Sequence, residues 1–187
     1  MNNKVADDQE QWKRRLTAFE TGKILPWWKQ PSNRVNAFLM RLATRLGDGW
    51  TWALVAPWVI WTLGPKQGFA LAWRGTVVGL FSVGLYKFLK SRFNRSRPYE
   101  RHDLEPLQAP PDKFSFPSGH AMNNLAIALY VGHFVPQILP VLLPVAVLIS
   151  FSRVYLRVHY PTDVLVGASL GLLVGEGFRY LPIFSHL

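Results

Sequence analysis

The sequence predicts an all-α, multi-pass transmembrane helical bundle with about five spans and an interfacial helix ahead of them. Three observations carry this. Apolar residues make up 49% of the 187-residue chain, and they gather into long blocks instead of alternating with polar residues. Eight Trp lie mostly near the ends of those blocks, where amphipathic rings sit at the boundary between lipid and water. The charge lies between the blocks, so the modest mean hydropathy of +0.09 averages apolar spans with a basic remainder. A buried helix of a soluble protein can mimic any one block, but five in a chain of this length leave little surface for water.

The N-terminal stretch, residues 1–33, is polar, basic and of mixed charge, and reads as an amphipathic helix or a loose tail. It holds no apolar core of a cleavable signal peptide. Residues 34–46 place Val35, Phe38, Leu39, Leu42 and Leu46 at helical spacing, with Arg34, Arg41 and Arg45 pointing elsewhere. That segment is too short and too charged to cross a bilayer, which takes about 20 apolar residues, and it predicts a helix lying in the interface. Gly47-Asp48-Gly49 breaks it.

Five apolar blocks follow, at about 50–63, 69–89, 121–135, 138–156 and 164–181. The first contains Pro57, a site for a kink. The last carries Gly167, Gly171 and Gly175 at four-residue spacing, a smooth stripe for close helix contact within the chain or between subunits. Residues 34–187 therefore read as one membrane-embedded domain. Its long polar loop, 90–117, contains Pro98, Pro106, Pro110, Pro111 and Pro117 and should be irregular.

The net charge is +10, from 21 basic and 11 acidic residues. In a soluble protein this would suggest nucleic acid. Charge placed between apolar blocks instead favours anionic lipid or a phosphate substrate, and no nucleic-acid partner is expected. Cysteine is absent, which excludes a disulfide framework, a thiolate nucleophile and a cysteine metal site.

Three short patterns sit where the blocks end. They are Lys90 followed after six residues by Arg97-Pro98; Pro117-Ser118-Gly119-His120; and Ser152-Arg153 followed by His159 and then Asp163. Singly, each has an ordinary reading: flanking charges, a helix cap, a polar cap histidine. If the blocks cross back and forth, however, all three patterns meet at one end of the bundle. A phosphoryl group in transfer spreads charge over its equatorial oxygens, so catalysis there is mostly positioning and neutralisation. Lys90, Arg97 and Arg153 supply cations, the arginines through planar forks. Ser118 and the Gly119 amide stand at a helix N-terminus suited to an anion. A neutral imidazole can attack phosphorus, a carboxylate four residues on can orient it, and a second histidine can protonate the departing alkoxide. His159, Asp163 and His120 have that arrangement.

In order and spacing, these eleven positions resemble the motifs of the type 2 phosphatidic acid phosphatase superfamily, over about residues 47–181. The resemblance implies a helical core and a phosphohistidine intermediate, with His159 as nucleophile, Asp163 orienting it and His120 as general acid. It also implies that Lys90, Arg97, Ser118, Gly119 and Arg153 hold the phosphate. The expected activity is hydrolysis of a lipid phosphate monoester or diphosphate, such as phosphatidic acid, phosphatidylglycerophosphate or an isoprenyl diphosphate. Alternatives are a lipid-to-lipid phosphotransferase on the same core and an anionic-lipid transporter.

Two histidines and an aspartate could also form a metal site, but the three cations beside them already fill that role. No metal and no cofactor are expected. Nine of the 21 basic residues precede the first block, nine lie on the motif-bearing side, and only Lys66, Arg74 and Arg179 fall on or near the other. The positive-inside rule then places the protein in the cell (inner) membrane with its N-terminus and site on the cytoplasmic face. The oligomeric state stays open.

Overall fold

In lipid, a backbone must satisfy its own hydrogen bonds, and a helix does so within one segment. The computed structural model describes residues 2–110 and 112–185, with side chains described for Gln11 and from Arg14 onward. Met1, His186, Leu187 and, in the polar loop, Pro111 lie outside the described residues. Every regular element among the described residues is helical.

Helix α1 spans Asn2–Trp28, and α2 spans Arg34–Arg45. Asn33 caps α2, its side-chain oxygen accepting the amides of Val35 at 2.8 Å and Asn36 at 3.4 Å. A wide turn at Leu46–Trp50 follows, in which Gly49 takes a φ of 105° that side-chain-bearing residues seldom adopt. Helix α3 spans Thr51–Phe93, but its helical dihedrals break at Gly64, with φ 76° and ψ 168°. Residues 51–63 and 65–93 are therefore two limbs of one hairpin, matching the first two apolar blocks. Their backbones touch: a Cβ on Gly68 would lie 2.4 Å from the Ile60 Cα. Trp52 ties the limbs further, donating to Thr76 Oγ1 at 3.1 Å. The helical dihedrals continue through Pro57, because proline's fixed φ suits a helix and only glycine readily permits the reversal.

Asn94, at φ 49°, closes α3. Among its described residues, the loop to residue 117 is irregular apart from one helical turn, α4 (Pro98–Arg101), which Pro98 opens at the position where a missing amide costs least. Helix α5 (Gly119–Phe134), a tight turn (Pro136–Ile138), α6 (Leu139–Tyr155) and α7 (Pro161–Arg179) complete the chain.

The glycine stripe of α7 packs inside the molecule. Cβ atoms on Gly167, Gly171 and Gly175 would stand 2.5, 2.4 and 2.6 Å from the carbonyl oxygens of Ser118, Met122 and Ala126. Both series climb by four, so α5 and α7 run parallel, with their N-termini at the same end. The outer wall shows the reverse polarity of a soluble protein, with Trp61, Phe69, Trp73, Leu80, Val147 and Leu172 exposed. So many large exposed apolar side chains suit a wall that faces lipid. By length and composition, two stretches pass as candidate spans, Arg34–Arg101 and Pro136–Tyr155. The first holds both limbs of α3.

Helix α2 stays at one end of the bundle. Gln30, just before it, accepts from Arg157 at 3.2 Å; Arg41, in its middle, donates to Leu107 of the polar loop at 3.3 Å; Thr44, near its end, accepts from Arg153. It leaves Val35, Phe38, Leu39 and Leu42 exposed, the amphipathic arrangement of an interfacial helix.

The contact of α5 with α7 leaves no room for a methyl group. Gly171→Ala should destabilise the protein by roughly 1–3 kcal/mol through overpacking, read as a lowered unfolding midpoint in detergent. Gly22→Ala, with nothing within 4 Å, should leave the midpoint unchanged.

Candidate active site

The site forms where the two parallel N-termini of α5 and α7 meet the C-terminal ends of α3 and α6. Lys90 stands in the last turn of α3 and Arg153 in the last turn of α6. Arg97 precedes α4 and is fully buried. After α6 the chain reverses at Arg157, φ 64°, and both Val158 and His159 return their amides to the Arg153 carbonyl, at 3.3 and 3.1 Å. Arg157 holds this turn from outside by donating to Glu105 and Gln30 carbonyls, each at 3.2 Å. The reversal sends His159 inward.

One small cavity is lined by Tyr86, Lys90, Arg97, Asp112, Gly119, His120, Arg153 and His159. Six of the eight residues singled out in the sequence thus share a single space. The other two, Ser118 and Asp163, lie completely buried behind its wall. They join the second and third motifs, the Ser118 amide donating to the Asp163 carbonyl at 2.9 Å. Gly119 lets the half-buried Tyr86 ring close over the helix start: a Cβ there would fall 2.9 Å from the ring.

Each cation is held in place. Arg97 donates through Nη1 to the Val158 carbonyl at 2.6 Å and through Nε to the Asp112 carbonyl at 3.0 Å. Arg153 donates to the Thr44 hydroxyl, while its Nε finds no partner among the described residues. Asp112 reaches into the cavity. Its carboxylate accepts from Lys90 at 2.8 and 2.7 Å and from Arg97 Nη2 at 2.6 Å. Burial alone would raise the Asp112 pKa, but the bonds and charge of Lys90, then of Arg97, more than offset it and hold it below the usual carboxylate value.

The two histidines face different carboxylates. His159 Nδ1 lies 3.7 Å from Asp163 Oδ2, within ion-pair range but beyond a hydrogen bond, and has no hydrogen-bond partner among the described residues. Asp163 is engaged elsewhere: Oδ1 accepts from Arg95 Nη1 at 2.6 Å and Oδ2 from the Tyr160 amide at 2.8 Å. Burial, followed by the charges of Arg97, Arg153, Lys90 and His120, holds the His159 pKa well below the ordinary imidazole value. This shift favours the neutral ring, the form in which an imidazole nitrogen keeps a lone pair to offer. His120 Nε2 pairs with Asp48 Oδ1 at 2.8 Å, and Gly47 makes room for it, since a Cβ there would lie 2.6 Å from the ring.

Sequence reasoning missed Asp48, Asp112 and Arg95. Asp48 sits in a segment read as a helix breaker, Asp112 in a proline-rich loop, and Arg95 among charges counted for topology. No local pattern marks any of them. Their signal is spatial: an unbalanced cluster of buried cations demands carboxylates from somewhere in the chain.

A second, larger cleft lies beside the cavity and shares Tyr86, Gly119 and His120 with it, adding Gly47, Asp48, Gly49, Val83 and Asn123. Chemically, the arrangement can hold a multiply charged anion against a neutral imidazole, with a second, carboxylate-paired imidazole on the same cavity wall. The side cleft offers room for the group attached to that anion.

Comparison with known proteins agrees with this architecture. The chain is 43% identical over 101 residues to phosphatidylglycerophosphatase B of Bacillus subtilis, covering 48% of this chain and 47% of that one. It is 48% identical over 69 residues to a decaprenylphosphoryl-5-phosphoribose phosphatase of Mycobacterium tuberculosis, covering 35% and 36%. The matches thus span about half of the first relative and about a third of the second. The crystal structure of a transmembrane PAP2-type phosphatidylglycerolphosphate phosphatase from Bacillus subtilis superposes with a TM-score of 0.66 at 27% identity, covering 96% of this chain and 87% of that one. The PAP2 superfamily model matches residues 70–183, more than half of the sequence and all three motifs, and the chain belongs to that superfamily.

Proposed function

We propose that the protein is a membrane phosphatase that removes phosphate from a lipid through a phosphohistidine intermediate. The observation that carries this reading is the single cavity in which Lys90, Arg97 and Arg153 face His159 and the Asp48-paired His120. The phosphate sits among the three cations and the Gly119 amide, with Ser118 supporting the helix start. His159 attacks phosphorus through Nε2, the nitrogen turned away from Asp163. The bond from phosphorus to the lipid oxygen breaks, and His120 gives its proton to that oxygen, releasing the lipid alcohol. Water then attacks the phosphohistidine, yielding its proton to His120 and freeing inorganic phosphate. Asp163 stabilises the positive charge that His159 gains, and the 3.7 Å gap shortens as that charge develops, since such bonds tighten on the way to the transition state.

Three side-chain cations supply the neutralisation that a divalent metal would otherwise provide, so the reaction needs no metal. The side cleft suits the glycerol or isoprenyl portion of a lipid. Phosphatidylglycerophosphate and isoprenyl phosphates or diphosphates are the favoured substrates, on the similarity to the two relatives above. Phosphate release by the detergent-purified protein should proceed with excess chelator present, and His159→Ala should abolish it. Restoration of activity by magnesium alone, or release unaffected by His159→Ala, would refute this reading.

Asp112 occupies the two cations that substrate phosphate needs, so substrate must displace it. Its side chain is 37% exposed, which lets it swing out toward solvent. Asp112→Asn removes the competing charge and should lower KM about tenfold, with kcat changed less than about threefold, an effect of the size expected for a charged hydrogen bond. Steady-state kinetics against inorganic phosphate as inhibitor should show its Ki falling in parallel.

We also place the site on the cytoplasmic face of the cell membrane. The basic N-terminal helix packs at the site end of the bundle, and five crossings then carry the C-terminus to the outside. A C-terminal alkaline phosphatase fusion should therefore be active, and a green fluorescent protein fusion dark. The opposite pair of results would reverse the orientation.

A further inference from the structure

The N-terminal helix carries a buried carboxylate in contact with the active-site scaffold. Along α1, Thr17, Glu20, Thr21, Ile24 and Trp28 follow helical spacing and form its inward stripe. At the lower end Trp28 donates its indole N–H to the Val154 carbonyl at 3.0 Å and packs on Tyr160, ring centroids 5.9 Å apart. At the upper end Glu20 is 6% exposed. Its Oε2 accepts from Arg95 Nη2 at 2.6 Å, and its Oε1 from the Thr162 amide, in the first turn of α7, at 2.7 Å.

Arg95 is itself a branch point. Nη1 serves Asp163 at 2.6 Å and the Thr162 hydroxyl at 2.9 Å, while Nη2 serves Glu20 and, at 3.1 Å, the Thr17 hydroxyl. Its guanidinium lies 4.0 Å from the ring centre of Tyr160, the residue after His159. Its carbonyl accepts from Ser115 at 2.8 Å, fixing the loop that leads to the second motif. One buried arginine is thus divided between two buried carboxylates, one from the catalytic scaffold and one from a helix outside the matched residues 70–183.

We infer that Glu20 and Arg95 are positioning residues: α1 is built into the catalytic apparatus, and Glu20 sets how strongly Arg95 holds Asp163 away from His159. The inference rests on the phosphatase reading above, with Asp163 stabilising His159. With Glu20 charged, the guanidinium is shared, and Asp163 retains negative potential for the imidazole 3.7 Å away. Without that charge, Arg95 pairs with Asp163 alone, and the Thr162 amide loses its charged acceptor. The carboxylate is then both neutralised and shifted, and the attack of His159 slows. Substrate binding is spared, because none of the hydrogen bonds of Lys90, Arg97 or Arg153 reaches Glu20.

The test is steady-state hydrolysis of phosphatidylglycerophosphate by full-length wild type, Glu20→Gln and Glu20→Asp in detergent, with inorganic phosphate binding measured by calorimetry. Glu20→Gln should lower kcat roughly ten- to a hundredfold, the scale of a small misplacement of a catalytic group. KM and phosphate affinity should stay within about twofold, and Glu20→Asp should recover part of the loss. A folded Glu20→Gln protein with wild-type kcat, or one whose loss lies in KM, would overturn the inference. Should that variant not fold, Arg95→Lys keeps the charge but loses the planar fork that gives Asp163 and Glu20 a nitrogen each, and the same kcat loss with unchanged phosphate affinity is expected; wild-type kcat would again overturn it. Wild type inactive on phosphatidylglycerophosphate and isoprenyl diphosphate alike would sink the phosphatase reading itself, whereas wild type active with Glu20→Gln unchanged sinks only the role of α1.

Discussion

Three cations lining one small cavity are the constraint from which the polar end of this bundle follows. Lys90, Arg97 and Arg153 are all nearly or fully buried, and buried like charges are tolerable only when each is anchored and the set is balanced. The anchoring comes from backbone carbonyls and hydroxyls: Val158 and Asp112 carbonyls for Arg97, Thr44 for Arg153. The balance comes from carboxylates supplied by quite different parts of the chain. Asp112 arrives from the proline-rich loop and Asp48 from the turn after α2, while Asp163 of α7 is matched to a fourth buried cation, Arg95. The interfacial helix, the wide turn and the long loop are all brought to the same end by this need.

The apolar part of the bundle serves that end by fixing its geometry. The parallel, backbone-to-backbone contact of α7 on α5 sets the second motif against the third, and the Ser118 amide bonded to the Asp163 carbonyl is the last rung of that contact. Glycine at 167, 171 and 175 is required because carbonyl oxygens, rather than flexible side chains, occupy the space a Cβ would need. The two helix N-termini are thereby directed toward one cavity, where their partial positive charge adds to that of the side chains. A tightly interlocked interior is also what lets a small displacement of Asp163 reach His159, since a close-packed scaffold transmits strain.

Much of this was legible in the sequence, for physical reasons. The helical bundle follows from apolar blocks in a chain that must satisfy its backbone internally, and five of the helical runs match the five blocks. The motif residues sit at helix ends at fixed spacing, so chain order alone brings Lys90, Arg97, His120, Arg153 and His159 together. The glycine stripe announced a close contact but not its partner, because spacing says nothing about which helix lies opposite. Asp48, Asp112, Arg95 and Glu20 were not legible. Each is an ordinary charged residue in a polar stretch, and its meaning arises only when folding places it against a buried opposite charge. Glu20 is the least legible, being 75 residues from Arg95 in the chain and in a segment that reads as an amphipathic helix or a loose tail.

The carboxylates differ in exposure in a way that matches what each must do on the phosphatase reading. Asp163 is completely buried and multiply bonded, whereas Asp112 and Asp48 keep 37% and 49% of their side chains exposed. A counter-charge that must persist through the cycle has to be shielded from water and held by several donors, or it would follow the substrate's charge and lose its orientation. One that must yield its place to a phosphate has to sit on a loop at the rim, where water can receive it when it leaves and little packing is disturbed. Asp48 falls between: it touches His120 by one bond, open enough for the imidazole to take and release a proton without stranding a charge in the interior. On that reading the site combines buried cations with graded anions, and the gradient from the buried pair at α1 and α7 to the exposed loop gives the cavity a closed side that orients and an open side that exchanges.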